Sequence, residues 1–193
     1  MSDVGGAADA HRWTDYFEKE ALSETGRTIA IVTAAYLDEA LIALLKAALL
    51  PCATSADPLF DGPYAPLGSF SAKIDFAARL GLISSGVAQS LHLVRRLRND
   101  FAHATGTSSF EDHGAQMRVH ELSRLNAVAT PERRQHFPAG KKGDFLCAGS
   151  WLVYWIWTLI DRMPPRCPEC GLRHFPATHQ KKGEAQGAQG TTG

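Results

Sequence analysis

The sequence predicts an all-α protein: a compact multi-helix bundle around one long central helix, followed by a disordered C-terminal tail. Three observations carry this expectation. Apolar residues recur with helical spacing over most of the chain, and no stretch alternates with the period of two that a half-buried strand requires. Apolar residues make up 45% and charged residues 21% of the 193, an ordinary globular composition that can bury a sizeable core. From Pro176 onward the chain turns to Gly, Gln, Ala, Lys and Thr, too little apolar surface to offset the entropy of ordering.

Residues 1–10 are small and polar and read as a disordered N-terminus. Residues 11–163 read as the helical domain, 164–180 as a candidate Cys/His knuckle and 181–193 as a disordered tail. A first helix is expected over residues 11–22, with Trp13, Tyr16 and Phe17 on one face. The second, about residues 24–50, is the longest. It is rich in Ala, Leu and Ile, all compatible with helix, and Pro51 stops it. Its apolar character runs almost all round, which marks a central helix.

Residues 51–69 hold Pro51, Pro58, Gly62, Pro63, Pro66 and Gly68, which is loop chemistry. The segment reads as a packed lid over one end of the bundle, with Leu59, Phe60, Leu67 and Phe70 folded inward, Tyr64 also packed, and room for a ligand pocket beneath. Residues 70–80 form the next helix, with Ser69 or Ser71 as cap and Gly81 past its end. Ser84 or Ser85 caps a helix running to His103 or Ala104. A capping-box-like pair, Ser109 with Asp112 or Ser108 with Glu111, starts a helix through Leu125. Thr130-Pro131-Glu132 gives another start, with proline in the first turn. Asp144 is the expected cap of a last helix reaching Arg162, before Pro164-Pro165.

The 20 basic and 20 acidic side chains cancel. A dedicated nucleic-acid binder usually has a basic excess, because phosphate neutralisation supplies most of its affinity. One local patch exists: Arg118, Arg124, Arg133, Arg134, Lys141 and Lys142 face only Glu121 and Glu132 across residues 118–142. There is no helix-turn-helix with a basic recognition helix, no basic region and no finger, so direct sequence-specific DNA binding is not expected. The first ten residues lack the basic-then-apolar pattern of a secretory signal. Residues 28–50 include Asp38, Glu39 and Lys46, and the uncharged run 145–160 is shorter than the ~20 residues a bilayer needs. Both read as buried helices of a cytoplasmic protein with no membrane partner.

Cys52 and Cys147 sit in apolar surroundings and read as inert core thiols. Cys167 and Cys170 form a C-x-x-C pair with Gly171 after it, and His174 and His179 follow. Two cysteines with two histidines are a common tetrahedral zinc set, although the Cys170–His174 spacing is far shorter than the ~12 residues of a zinc finger. Zinc held within one chain, zinc shared with a second chain, a reduced pair and a redox pair all remain open.

With about 100° per residue, His92, Arg96, Asn99 and His103 form one polar stripe. Leu91, Val94, Leu97 and Phe101 form an apolar side, on which Arg98 also falls. A buried guanidinium needs a carboxylate, and Asp38 or Glu39 is the expected partner of Arg98.

The segment Leu97-Arg98-Asn99-Asp100-Phe101-Ala102-His103 fits the R-x4–6-H motif of HEPN domains, a helical class that includes metal-independent ribonucleases. That resemblance makes Arg98, Asn99 and His103 candidate catalytic residues: histidine shuttles a proton near neutral pH and arginine stabilises charge on a phosphate. A longer resemblance is to the mannitol operon repressor (MtlR-like) family. It rests on Ala34-Ala35-Tyr36-Leu37-Asp38-Glu39 with Leu41 and Leu44-Leu45; Leu59-Phe60-Asp61-Gly62 with Ala65-Pro66-Leu67-Gly68-Ser69-Phe70-Ser71-Ala72-Lys73-Ile74; Leu80-Gly81-Leu82-Ile83-Ser84; and Arg98-Asn99-Asp100-Phe101-Ala102-His103. The blocks follow the family's order across residues 24–125. The resemblance implies a helical fold and a role in transcription regulation of a sugar-alcohol operon. With no DNA-reading motif, such a protein is expected to act through a protein partner or by self-association, with RNA as the partner in the ribonuclease reading. Residues 164–193 resemble nothing in the family.

Overall fold

The computed structural model describes residues 16–105, 109–126, 131–167 and 171. The chain divides into two units, residues 1–163 and 164–193. Among the described residues of the first unit there are six α-helices: α1 Gly26–Ala48, α2 Phe70–Arg79, α3 Ser85–His103, α4 His113–Leu125, α5 Pro131–Arg134 and α6 Lys141–Asp161. Of the helix expected over residues 11–22, the described part is a π-helical turn, Tyr16–Glu20; Trp13 lies outside the described residues. The all-α expectation holds: among the described residues the only sheet-like position is an isolated bridge at Arg166.

Local chemistry sets the helix ends. Thr25, Ser69 and Ser84 each accept a backbone N–H three residues on, from Thr28, Ala72 and Val87, at 3.2, 3.1 and 3.3 Å. Such caps satisfy donors the helix cannot use and contribute about 1 kcal/mol each. After α2, Gly81 takes φ +70°, and the Gly81 and Leu82 N–H groups donate to Ala78 and Ala77 carbonyls. That left-handed turn is one only glycine adopts freely.

Two expected starts differ. Ser109 and Asp112 bond to each other's neighbourhood, with Ser109 N donating to Asp112 Oδ2 and Glu111 N to Ser109 Oγ. They build a turn ahead of α4 rather than a cap on it, and α4 starts at His113 with no side-chain cap bond. Asp144 does not cap α6. Gly140, at φ +88°, begins that helix one turn earlier. Asp144 instead sits in the first turn, 2.8 Å from Arg134 Nε and 3.3 Å from Lys141 Nζ, where a carboxylate suits the helix dipole.

The helices pack as a ring. α1 lies against both α6 and α3, α3 against α4, and α4 against α6; α2 fills the side of α1 and α3, and α5 leans on α6. Ile29, Leu37, Leu41, Leu44 and Leu45 of α1, Leu91 and Leu97 of α3, Leu122 of α4 and Phe145 of α6 are fully buried. Each contributes about 1.5–3 kcal/mol by leaving water. Gly149 lets α6 approach α1, since a Cβ there would stand 2.8 Å from Thr33 Cγ2. α1 and α6 are long and apolar enough to cross a membrane by length and composition, yet about half of each apolar window is buried in the bundle (50% and 56%), as a core helix requires.

The loop over residues 51–69 is only partly the expected lid. Phe60, Leu67 and Phe70 are buried, but Leu59 is 41% and Tyr64 95% exposed. Asp57 and Asp61 account for Leu59. Asp61 Oδ2 accepts Asp57 N–H, and Asp57 Oδ1 accepts Leu59 N–H, which closes a tight turn with Pro58 and Leu59 outside and Phe60 inside.

Candidate functional site

The Ser84 cap fixes the phase of α3. Val87, Leu91, Val94, Leu97 and Phe101 turn to the core, so the opposite side presents His92, Arg96, Asn99 and His103, the four residues of the expected stripe. His92 and Asn99 are half-buried, while Arg96 and His103 are exposed. Arg95, which the sequence reading did not single out, borders the stripe. The C-terminal end of α3 is pinned by Arg27 Nη2, which donates to the Ala104 carbonyl at 2.6 Å.

Three carboxylates flank the stripe, and each is engaged. Asp75 Oδ1 of α2 lies 3.0 Å from His92 Nε2. Asp100 Oδ2 lies 2.9 Å from Arg118 Nη1 of α4. Glu121 takes a two-pronged bond from Arg124 at 2.8 and 2.7 Å. That hydrogen bonding holds the Glu121 carboxyl below its ordinary value and raises the Arg124 guanidinium above its own. Arg95, Arg96 and Arg98 find no acceptor among the described residues, and Arg95 Nε is also sealed from solvent.

The expected pairing of Arg98 with Asp38 or Glu39 is not made. Asp38 accepts Lys73 Nζ on both oxygens, at 2.7 and 2.8 Å, and Glu39 is exposed. Lys73 stands on the buried face of α2 beside Phe70, Ile74 and Ala77, and its flexible stem delivers the ammonium to α1. Arg98 is only half-buried, so water meets the need that a buried guanidinium would have. A lysine within an apolar stripe was the legible signal for this pair.

Of the HEPN-like residues, Arg98 and Asn99 are half-buried and His103 is exposed. Five residues of helix separate Arg98 from His103 by about 140°, so the two do not converge on one atom within a single chain.

Two further surfaces stand out. The end of α1 and the start of the following loop border an open cleft of about 500 Å³, lined by Lys46, Leu49, Leu50, Pro51, Cys52 and Thr54 among others; Cys52, expected as a core thiol, is exposed there because the chain has left α1 and turned into the loop, whereas Cys147 is buried. Residues 51–59 of the loop supply most of its lining. On α6, Trp157 is buried, while Trp151 and Trp155 are half-buried and stack on each other with centroids 6.0 Å apart. Tyr154 beside them is 55% exposed, with the Arg133 guanidinium over its ring at 5.4 Å.

In the second unit, Gly171 N–H donates to the Cys167 carbonyl at 2.8 Å and Gly171 takes φ +71°. Cys170, His174 and His179 lie outside the described residues.

The bundle has a solved counterpart. A chain of the X-ray structure of the MtlR–HPr complex from Escherichia coli aligns with TM-score 0.54 and 20% identity, over 72% of this chain and 98% of its own length. At that identity the likeness is one of fold, and it agrees with the helical fold that the sequence blocks imply. No protein-family model and no curated protein matches the sequence.

Proposed function

We propose that this chain is a cytoplasmic helical regulatory module that acts by binding a protein partner, and that it is related to the mannitol operon repressors. One observation carries the reading: its fold is shared, over 72% of its length, with a chain from a complex of MtlR with HPr. The sequence blocks across residues 24–125 support the same relation. With no DNA-reading motif in the sequence, regulation runs through the partner rather than through base contacts. HPr is the first partner to test, and a second copy of the chain is the other. The Trp151, Tyr154 and Trp155 face suits the latter, because interfaces draw on Trp and Tyr. Titration calorimetry and sedimentation of the full chain, alone and with HPr, test this. A complex or a stable oligomer supports it. A monomer that binds neither HPr nor itself counts against it.

A second reading is favoured by one observation, the exposure of His103 at the end of α3. It is HEPN-like ribonuclease activity, with Arg98 of one copy and His103 of another sharing a site and Asn99 in support. It requires RNA cleavage in chelator that His103→Ala abolishes. Cleavage unchanged by that substitution removes the assignment.

A further inference from the structure

The outer side of α3 carries charge that the molecule does not neutralise. Surface arginines usually sit near a carboxylate of the same chain. Here Asp75, Asp100 and Glu121 are taken by His92, Arg118 and Arg124, which leaves Arg95 and Arg96 adjacent and unpaired among the described residues. Arg95 is half-buried, and its Nε is shut off from solvent without an acceptor, so the side chain has less free space to sweep than a fully exposed arginine. A cation positioned before contact loses little entropy on meeting an anion. His92, Asn99 and His103 continue the same line along α3. Arg98 lies about 160° round the helix from Arg96 and is not part of it.

We propose that the stripe His92, Arg95, Arg96, Asn99 and His103 is a docking surface for an acidic protein partner, with carboxylates spaced along a helix or ridge to meet Arg95 and Arg96. This rests on the reading that the chain acts by binding proteins. The arginine fork matches a carboxylate with two parallel hydrogen bonds. A nucleic-acid backbone fits less well. Its charge is continuous, and on either flank of the stripe it meets Asp75 and Asp100, whose side chains are 67% and 51% exposed. The chain's 20 basic and 20 acidic residues also give no overall attraction for a polyanion. An acidic protein places its charges at intervals and passes between those carboxylates.

The experiment uses the full chain and two fluorescein-labelled helical peptides of equal composition. One carries its glutamates at the spacing of residues 92, 95, 96, 99 and 103 on one face; the other spreads them round the helix. A single-stranded RNA oligonucleotide is the third probe. Fluorescence anisotropy is expected to show the one-faced peptide binding at least about tenfold tighter than the spread one. Arg95→Ala/Arg96→Ala lowers that affinity about tenfold, Arg95→Lys/Arg96→Lys restores part of it, and Arg162→Ala at the end of α6 leaves it unchanged. Should the double alanine variant melt early, Arg96→Glu at its exposed position gives the same readout in a folded chain. Equal affinity for the two peptides, insensitivity to these substitutions, or tighter binding of the RNA each overturns the proposal. A chain that binds HPr equally well with and without Arg95→Ala/Arg96→Ala keeps the partner-binding reading and loses this face as its surface.

Discussion

The Asp38–Lys73 pair gives an asymmetric expectation. Lys73 is 3% exposed, while the Asp38 side chain keeps 31% of its surface in water. Asp38→Asn removes the charge opposite a sealed ammonium. Breaking a buried pair by deleting one partner costs about 3–5 kcal/mol, and the partial exposure of Asp38 puts this case near ~3 kcal/mol. Lys73→Met keeps the stem and leaves a carboxylate that water reaches, at about 1 kcal/mol. Asp38→Leu/Lys73→Met removes both charges and lies within about 1 kcal/mol of the parent. For a helical unit of this size, ~3 kcal/mol lowers Tm by about 6–12 °C. Urea unfolding followed by circular dichroism gives all three values. Equal losses for the two single variants, or a larger loss for Lys73→Met, refute the account of burial on which this rests.

Glycine substitutions test the packing of α6. A Cβ at Gly143 would stand 1.8 Å from the Pro138 carbonyl oxygen, whereas at Gly86 the nearest atom is 4.0 Å away; Gly143→Ala is expected to cost about 3 kcal/mol and Gly86→Ala to gain up to about 1 kcal/mol, both read from Tm. Burial raises the Cys147 thiol above its ordinary 9.0, so the folded state favours the protonated form. That contribution is complete below 9.0 and is lost as pH climbs through the folded value; the Tm advantage of wild type over Cys147→Ala should shrink at strongly alkaline pH, and parallel curves contradict it. Zinc at Cys167, Cys170, His174 and His179 requires metal content by mass spectrometry that falls to background in Cys167→Ser/Cys170→Ser; a metal-free wild type leaves the cysteines as a reduced or redox pair.

Most of the fold was legible because caps and periodicity act locally. Ser69, Ser84 and Gly81 bound helices close to where their chemistry places them, and the apolar girth of α1 and α6 reflects their central contacts. What failed depended on distance or on competing local bonds. Gly140 outcompeted Asp144 for the start of α6 because its positive φ turns the chain earlier. Leu59 and Tyr64 read as packed by composition, but the Asp57–Asp61 turn faces Leu59 outward and Tyr64 is 95% exposed. In the site, helical phase alone located His92, Arg96, Asn99 and His103. The choice of Lys73 over Arg98 for Asp38 depends on which helix abuts α1 at that level, and the vacancy beside Arg95 and Arg96 depends on Asp75, Asp100 and Glu121 being taken. Neither is a property of one segment.

The central claim is that the chain works by holding a protein partner. Titration calorimetry of the full chain with HPr tests it most directly. A saturable complex is the expected result; no heat of binding, with the two proteins sedimenting separately and the chain itself monomeric, contradicts it.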